Sequence, residues 1–437
     1  MNNSPSKKTP LSLLSMALTT SLAIVFLGMT IPAMAADDFD VEVTIAKKGE
    51  VQENQVAFVP FAGDAAISSI ILSDLHTTSL KVTADNLPQK AHSSSDLAGT
   101  YAAWESLGIP YLVIGSTSTD RGNTVVTFEV INIATKQVLR GTQRISGNDP
   151  RKVAHKTAAK IYEIITGKKS DFDAKIAYIL QQGSGPNSTS SLIVSDADGE
   201  NPRAIVDKIS GLIYSPAASP DGNLLAYSVQ MPNNLPYIYL YDLRSNKVTP
   251  LVRLKGSNLS PSFSPDGGSI LFSSTVDGDA DIYRVSTAGG TPQKVFELPY
   301  DQFQPSYSPD GKNFVFASDH ASPNKPKIYR ADFSGNISRV TAANYAANPA
   351  YSPDGTKIGY LNGRSAVVMS SGGQNLVNFG TTGIDEAPKF SPSGEKVVYS
   401  QGNSNNSTLV IRSLNGGAAI TKSVKGAIKS PVWIAAE

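Results

Sequence analysis

Six proline-centred segments divide the second half of the chain at near-equal intervals: Ser215-Pro216-Ala217-Ala218, Ser260-Pro261-Ser262-Phe263, Gln304-Pro305-Ser306-Tyr307, Asn348-Pro349-Ala350-Tyr351, Ala387-Pro388-Lys389-Phe390 and Ser430-Pro431-Val432-Trp433. The prolines are 45, 44, 44, 39 and 43 residues apart. Four of the first five segments lead into Ser-Pro-Asp-Gly, beginning at Ser219, Ser264, Ser308 and Ser352, and the fifth leads into Ser391-Pro392-Ser393-Gly394. In such a turn Pro presets φ, Asp bonds the following backbone and Gly takes positive φ, so these aspartates read as structural rather than catalytic. Each turn is followed by a strand ending near an aromatic, as in Leu225-Ala226-Tyr227 and Ile270-Leu271-Phe272, then by a third strand and a short fourth. Four strands per repeat of this length predict a propeller blade, because a lone four-stranded sheet buries both faces only when stacked radially on its neighbours.

The ends of the repeat region predict how the ring closes. Lys175 to Gln182 reads as a second strand with no first strand before it, and Ser430 to Trp433 reads as a first strand with nothing after it. Joined, they complete a sixth blade and hide edges that would otherwise be exposed.

The N-terminal third has a different rhythm. Lys7 and Lys8 precede an uncharged stretch from Thr9 to Ala36 that ends in Ala33-Met34-Ala35, the layout of an export signal with a small-x-small cleavage site. An uncleaved membrane anchor is the rival reading, since the stretch is long enough to span a bilayer. From Val56 onward, period-two and near-3.6 patterns alternate, predicting a small α/β or α+β domain. Val56 to Phe61 reads as a buried strand; Leu97, Tyr101, Trp104 and Leu107 fall on one helical face before Gly108; and Tyr111–Gly115, Thr124–Ile133 and Gln137–Ile145 read as strands. A last helix is bounded by Asp149 as cap, Pro150 at the first position and Gly167 at the end, with Val153, Thr157, Ile161 and Ile164 as its packing stripe. The expected plan is a signal peptide (residues 1–35), a small N-terminal α/β domain (36–168) and a six-bladed β-propeller closed by the C-terminal strand (169–437).

Composition excludes several classes of function. With 38 Lys plus Arg against 37 Asp plus Glu, and two of the lysines in the leader, there is no basic footprint for nucleic acid. There is no Cys, hence no disulfide, thiolate metal site, thiol nucleophile or lipid-modified N-terminal Cys. An exported chain without Cys suits a bacterial periplasm. His76, His92, His155 and His320 are scattered singly, so no metal-ligand spacing appears, and His155 reads as structural at the domain junction. No cofactor is called for. No Gly-x-Ser-x-Gly elbow occurs, which removes the usual start of a propeller-linked serine hydrolase. A cell-wall sugar-binding module remains as an alternative, since propellers host lectins and fold does not decide function. Its usual sign, an exposed aromatic in every blade, is missing.

The junction between the two regions carries the most specific signal. Arg151-Lys152-Val153-Ala154-His155, followed by Ile161-Tyr162-Glu163-Ile164-Ile165-Thr166-Gly167 and by Lys175-Ile176-Ala177-Tyr178, resembles the TolB family, the soluble periplasmic component of the Tol-Pal system of Gram-negative bacteria. Ala103-Trp104-Glu105-Ser106-Leu107-Gly108-Ile109 resembles the same family, and the likeness covers nearly the whole mature chain. It implies a non-enzymatic interaction protein that binds the lipoprotein Pal at the propeller mouth and the inner-membrane-anchored TolA through the mature N-terminal segment, in support of outer-membrane invagination and envelope integrity. Some bacteriocins exploit the same propeller surface in this family.

The candidate mouth consists of the connections entering the inner strands, at the end opposite the Pro-Asp-Gly turns. Ser257, Ser260, Asp301, Phe303, Gln304, Asn348, Asp385 and Glu386 are its candidate Pal-contacting residues. Asp385 and Glu386 resemble an acidic pair of the family able to accept hydrogen bonds from a partner loop, against the alternative of ordinary solvated carboxylates. Phe303 is either a partner-facing anchor or a plug within its own blade. Gln304 stands where the family pattern carries Glu, and Ser257 and Ser260 are smaller than expected for strong contacts. The candidate TolA segment is Ala36, Asp37, Asp38, Phe39, Asp40, Val41 and Val43: apolar residues alternate with polar ones, as in a strand that can be donated to a partner's sheet edge or docked on its own domain.

Overall fold

A computed structural model of the protein describes residues 54–183, 187–383 and 386–436. The leader, the segment Ala36–Val43 and Asp385 lie outside the described residues.

The first domain is one sheet between two apolar layers. Strands β1 (Gln55–Phe58), β2 (Lys81–Thr83), β3 (Tyr111–Asp120), β4 (Asn123–Asn132) and β5 (Gln137–Gly147) run in the order β2-β1-β3-β4-β5. The pairings of β1 are parallel and the rest antiparallel. Period-two alternation sends Val56 and Phe58 to the face covered by α1 (Ala65–His76) and α3 (Pro150–Thr166). Ala57 and Val59 go to the opposite face, against Leu97 and Trp104. Helix α3 is bounded as its sequence predicts: the Asp149 carboxylate accepts from the Arg151 and Lys152 amides, and Gly167 closes the helix in the left-handed region at φ 73°.

Two local expectations differ. The run from Leu97 to Leu107 is not one helix. A 3-10 turn (Ser94–Leu97) and the short helix α2 (Tyr101–Glu105) are separated at Gly99, whose φ is +80°. Leu97 and Trp104 stay buried while Leu107 is exposed, because the break ends the helical stripe before it. Helix α1, capped by Asp64 and carrying Ile67, Ile71 and Leu75 into the core, has no counterpart in the sequence-based plan.

The chain then enters six four-stranded sheets. The C-terminal strand Ala427–Ile434 pairs antiparallel with Lys175–Gln182, setting Ile428 opposite Leu180 and Trp433 opposite Ile176, so the last segment of the chain completes the first blade. The Pro-Asp-Gly turns have the predicted chemistry. Gly222, Gly267, Gly311 and Gly355 all sit near φ +70°, and each preceding Asp accepts from the buried Ser hydroxyl three residues before the Gly and from a backbone amide just after it.

The prolines of the repeat do more than mark inner strands. In five blades the ladder register shifts across the x-Pro pair, and the residue before Pro is left-handed: Ser215, Ser260, Gln304, Asn348 and Ser430, with φ between 46° and 55°. Pro has no N–H to give the ladder, so it is accommodated in a bulge, and the αR region is disfavoured for the residue before it. These bulges line the central channel. The blade with Ala387-Pro388 lacks the left-handed residue, and its inner strand shrinks to Lys389–Phe390.

Candidate functional site: the propeller mouth and channel

The two ends of the propeller have different surroundings. At the end bearing the Pro-Asp-Gly turns, the N-terminal domain is docked. Arg151 of α3 pairs with Asp196 and Asp198, Lys168 with Glu395, and Asp171 accepts from both the amide and the hydroxyl of Ser393. Lys396 is buried there, donating to Thr77 Oγ1 at 2.8 Å with its ammonium 4.6 Å from the centre of the Phe172 ring. A Cβ at Gly417 would stand 2.4 Å from the Thr78 carbonyl oxygen, so only glycine allows the loop this close to the first domain.

His155 lies at this junction, as its sequence position suggests. Its Nδ1 is 2.7 Å from Asp74 Oδ2. Burial alone would lower its pKa, but the hydrogen bond and charge of Asp74 outweigh burial and hold it above the usual histidine value. Folding brings Asp196 and Asp198 near the same ring, a group the linear spacing did not reveal. Arg151 occupies both carboxylates, and the cluster reads as a charge-balanced joint.

The opposite end is free of the first domain. Of seven large apolar side chains that stand in solvent among the described residues, four lie at this end: Met231, Leu235, Tyr300 and Tyr345, each 40–50% exposed. They come from the loops between the second and third strands of one blade and from two of the connections entering inner strands. These loops are held from beneath. The buried Asn258 amide donates to the carbonyls of Pro236, Leu254 and Gly256, Gln302 to those of Leu298 and Tyr300, and the Lys327 ammonium to those of Ala343 and Asn344. Exposed aromatics on stapled loops make a preorganised, partly apolar rim, the arrangement that lowers the ordering cost of binding.

The candidate mouth residues separate into three groups. Asp301 is exposed on the rim, its carboxylate accepting from the Ala280 amide, and Ser257 is half-buried with its amide on Thr275 Oγ1. Ser260, Gln304 and Asn348 turn into the channel as bulge residues. Phe303 packs with Val315 and Ala317 of its own blade and Ala346 of the next, the geometry of a plug. Glu386 is buried, its amide donating to Thr382 Oγ1, which differs from a solvated loop carboxylate.

Lys389 is the channel residue that sequence reading passed over. The position after Pro is Ala217, Ser262, Ser306, Ala350 and Val432 in the other five inner strands, and Lys only here. Its Nζ donates to Asn348 Oδ1 at 2.9 Å; Asn348 N donates to Gln304 Oε1 at 2.7 Å, and Gln304 N to Ser273 Oγ at 3.1 Å. Burial lowers the Lys389 pKa to about 8, with Glu386 acting in the opposite sense. Comparing the six aligned segments for an odd charge is the signal that would have found it.

Comparison with known proteins agrees with this architecture. The family described as the TolB amino-terminal domain matches residues 40–139, and that described as the TolB beta propeller domain matches residues 162–436. The chain belongs to the TolB family. Tol-Pal system protein TolB of Bordetella pertussis is 32% identical over 432 residues, covering 95% of both chains. The matches to TolB of Acinetobacter baylyi (32% identity) and of Gluconobacter oxydans (31%) span only about half of those relatives' length, 56% and 49%. The crystal structure of TolB from Acinetobacter baumannii superposes with a TM-score of 0.78 at 29% identity, covering 88% of this chain and 97% of that one. As in TolB, a propeller follows a small α/β domain, and no helix among the described residues is long and apolar enough to cross a membrane.

Proposed function

We propose that the chain is a non-enzymatic, periplasmic interaction component of a Tol-Pal system, exported by its leader (residues 1–35). In this reading it binds the lipoprotein Pal at the propeller mouth and TolA through residues 36–43, and so serves outer-membrane invagination during division and envelope integrity. Membership of the TolB family supports the system. The observation that carries the site is the rim: Met231, Leu235, Tyr300 and Tyr345 are exposed on loops braced by the Asn258 and Gln302 amides and the Lys327 ammonium, at the end the first domain leaves free. Asp301 and Ser257 supply polar contacts at the edge, Ser260, Gln304 and Asn348 line the way inward, and Phe303 holds the loop in place; Asp385 and Glu386 remain in the reading as the acidic pair of the sequence.

The test is calorimetry of residues 36–437 against the lipid-free Pal domain of the same organism, with Tyr300→Ser and Tyr345→Ser in parallel. Both tyrosines are half in solvent, so the substitutions spare the core. The expected result is one-to-one binding by the wild type, weakened at least tenfold by either change, about 1.4 kcal/mol, at unchanged melting temperature. Binding by the wild type that neither change affects removes the rim from the site. Removal of residues 36–40 is expected to lower TolA affinity while sparing the Pal complex.

A further inference from the structure

The central channel contains a cavity of about 270 Å³ walled by the inner strands of all six blades. Its wall is polar but neutral at Ser215, Ser260, Gln304, Asn348 and Ser430, and Lys389 is the one charged residue lining it among those described. The five matching positions after Pro are small or aliphatic, so Lys389 projects into a space the other blades leave open. An ammonium carries three donors, and Asn348 Oδ1 takes one of them. The Gln304–Asn348 relay fixes that acceptor: Asn348 is held through its own backbone amide, in the left-handed bulge before Pro349. A cation entering this cavity meets a like charge, whereas an anion meets an ammonium held by Asn348.

We propose that the channel is a carboxylate-binding site with Lys389 as its charged base, admitting through the mouth either an acidic side chain of a docked protein or a small free carboxylate. Charge-assisted hydrogen bonds from Lys389 Nζ hold the carboxylate, and the hydroxyls of Ser260 and Ser430 and the amide of Gln304 supply the neutral remainder of the wall. Among the described residues Glu386 tempers the charge of the site without lining the cavity. A bound carboxylate supplies a counter-charge that offsets the desolvation of the ammonium, so occupancy raises the Lys389 pKa from about 8 toward the ordinary lysine value. Where the carboxylate belongs to a protein at the mouth, the proposal rests on the reading of the mouth given above; a free carboxylate does not need that reading.

The experiment follows the Lys389 ammonium by ¹⁵N NMR in the mature chain, assigned with Lys389→Gln, during titration with glutarate. Lys389→Arg serves as the charge-conserving control, and melting temperatures establish that both variants fold. The expected result is a saturable perturbation of the Lys389 signal with an upward shift of its pKa, and glutarate binding that is lost in Lys389→Gln and retained in Lys389→Arg. A second arm measures the lipid-free Pal domain. At least tenfold weaker binding to Lys389→Gln, with competition by glutarate, assigns the carboxylate to the partner. Unchanged Pal affinity beside glutarate binding assigns it to a small molecule. A wild-type chain that binds glutarate but not Pal upholds the channel site and sinks the reading of the mouth. An unperturbed Lys389 signal together with equal Pal affinity in both proteins overturns the proposal.

Discussion

In four of the hairpin turns an aspartate follows the proline, and in the fifth Ser393 stands in its place. Its amide donates to Asp171 Oδ1 at 2.7 Å and its hydroxyl to the other oxygen, so a carboxylate from the connection between the domains lies against the turn, while Ser393 Oγ accepts from the Glu395 amide as the Asp does in the other turns. Restoring the repeat consensus is therefore expected to be harmful. Ser393→Asp sets a carboxylate against buried Asp171 and is expected to cost about 2 kcal/mol of stability, read by urea denaturation; a variant as stable as the wild type would show that the turn tolerates the like charge. At the same scale, burial raises the Asp354 pKa while hydrogen bonds from Ser352 and Thr356 override it, leaving the group at about 2. A carboxylate depressed below its unfolded value of 3.8 contributes stability that is present above about pH 4 and fades as pH falls toward 2. Melting temperatures between pH 5 and 2 are expected to fall, and to fall less steeply in Asp354→Asn.

At the scale of elements, the C-terminal strand determines whether the propeller is a ring. Ile428 and Ile434 are fully buried and Trp433 nearly so, one face packing with the adjoining last blade and the other with the blade that follows. Removing the residues after Lys429 exposes the edge of Lys175–Gln182 and strips both interfaces. Loss of the single cooperative transition in calorimetry is expected; a truncated chain that melts as one unit at the wild-type temperature would refute closure by this strand. The inner strands show what repetition leaves undetermined: one x-Pro pattern forms a left-handed bulge in five blades and a two-residue strand without it in the remaining one, where Ala387 precedes Pro388.

At the scale of the molecule, the first domain docks on the first and last blades at one end of the propeller, and the other end is a stapled rim around a channel. The junction contains a titrating group. His155 has its pKa raised by Asp74, so the stability it contributes is fully present below about pH 6.5 and is lost as pH rises through its higher folded value. The groups facing it are Asp74 from α1, Arg151 from its own helix and Asp198 from the first blade, with Lys396 of the last blade beside Asp74. Urea denaturation from pH 6 to 9 is expected to show falling stability, with a flatter profile for His155→Gln; identical slopes would remove His155 as the cause.

Much of this organisation was legible along the chain because its causes are local. Turn chemistry at Ser-Pro-Asp-Gly, caps at Asp149 and Gly167, period-two strands and the spacing of six prolines determined the blades, their number and the closing strand, each from residues a few positions apart. Other features came only from the tertiary structure. The Asp171 carboxylate at the fifth turn, the burial of Glu386 and the rim of Met231, Leu235, Tyr300 and Tyr345 depend on residues far apart in sequence. The lone charge of Lys389 is of the same kind: its environment is assembled from six blades. A residue's exposure, its counter-charge and the space before it are properties of what the chain brings alongside it, and that is set when the ring closes.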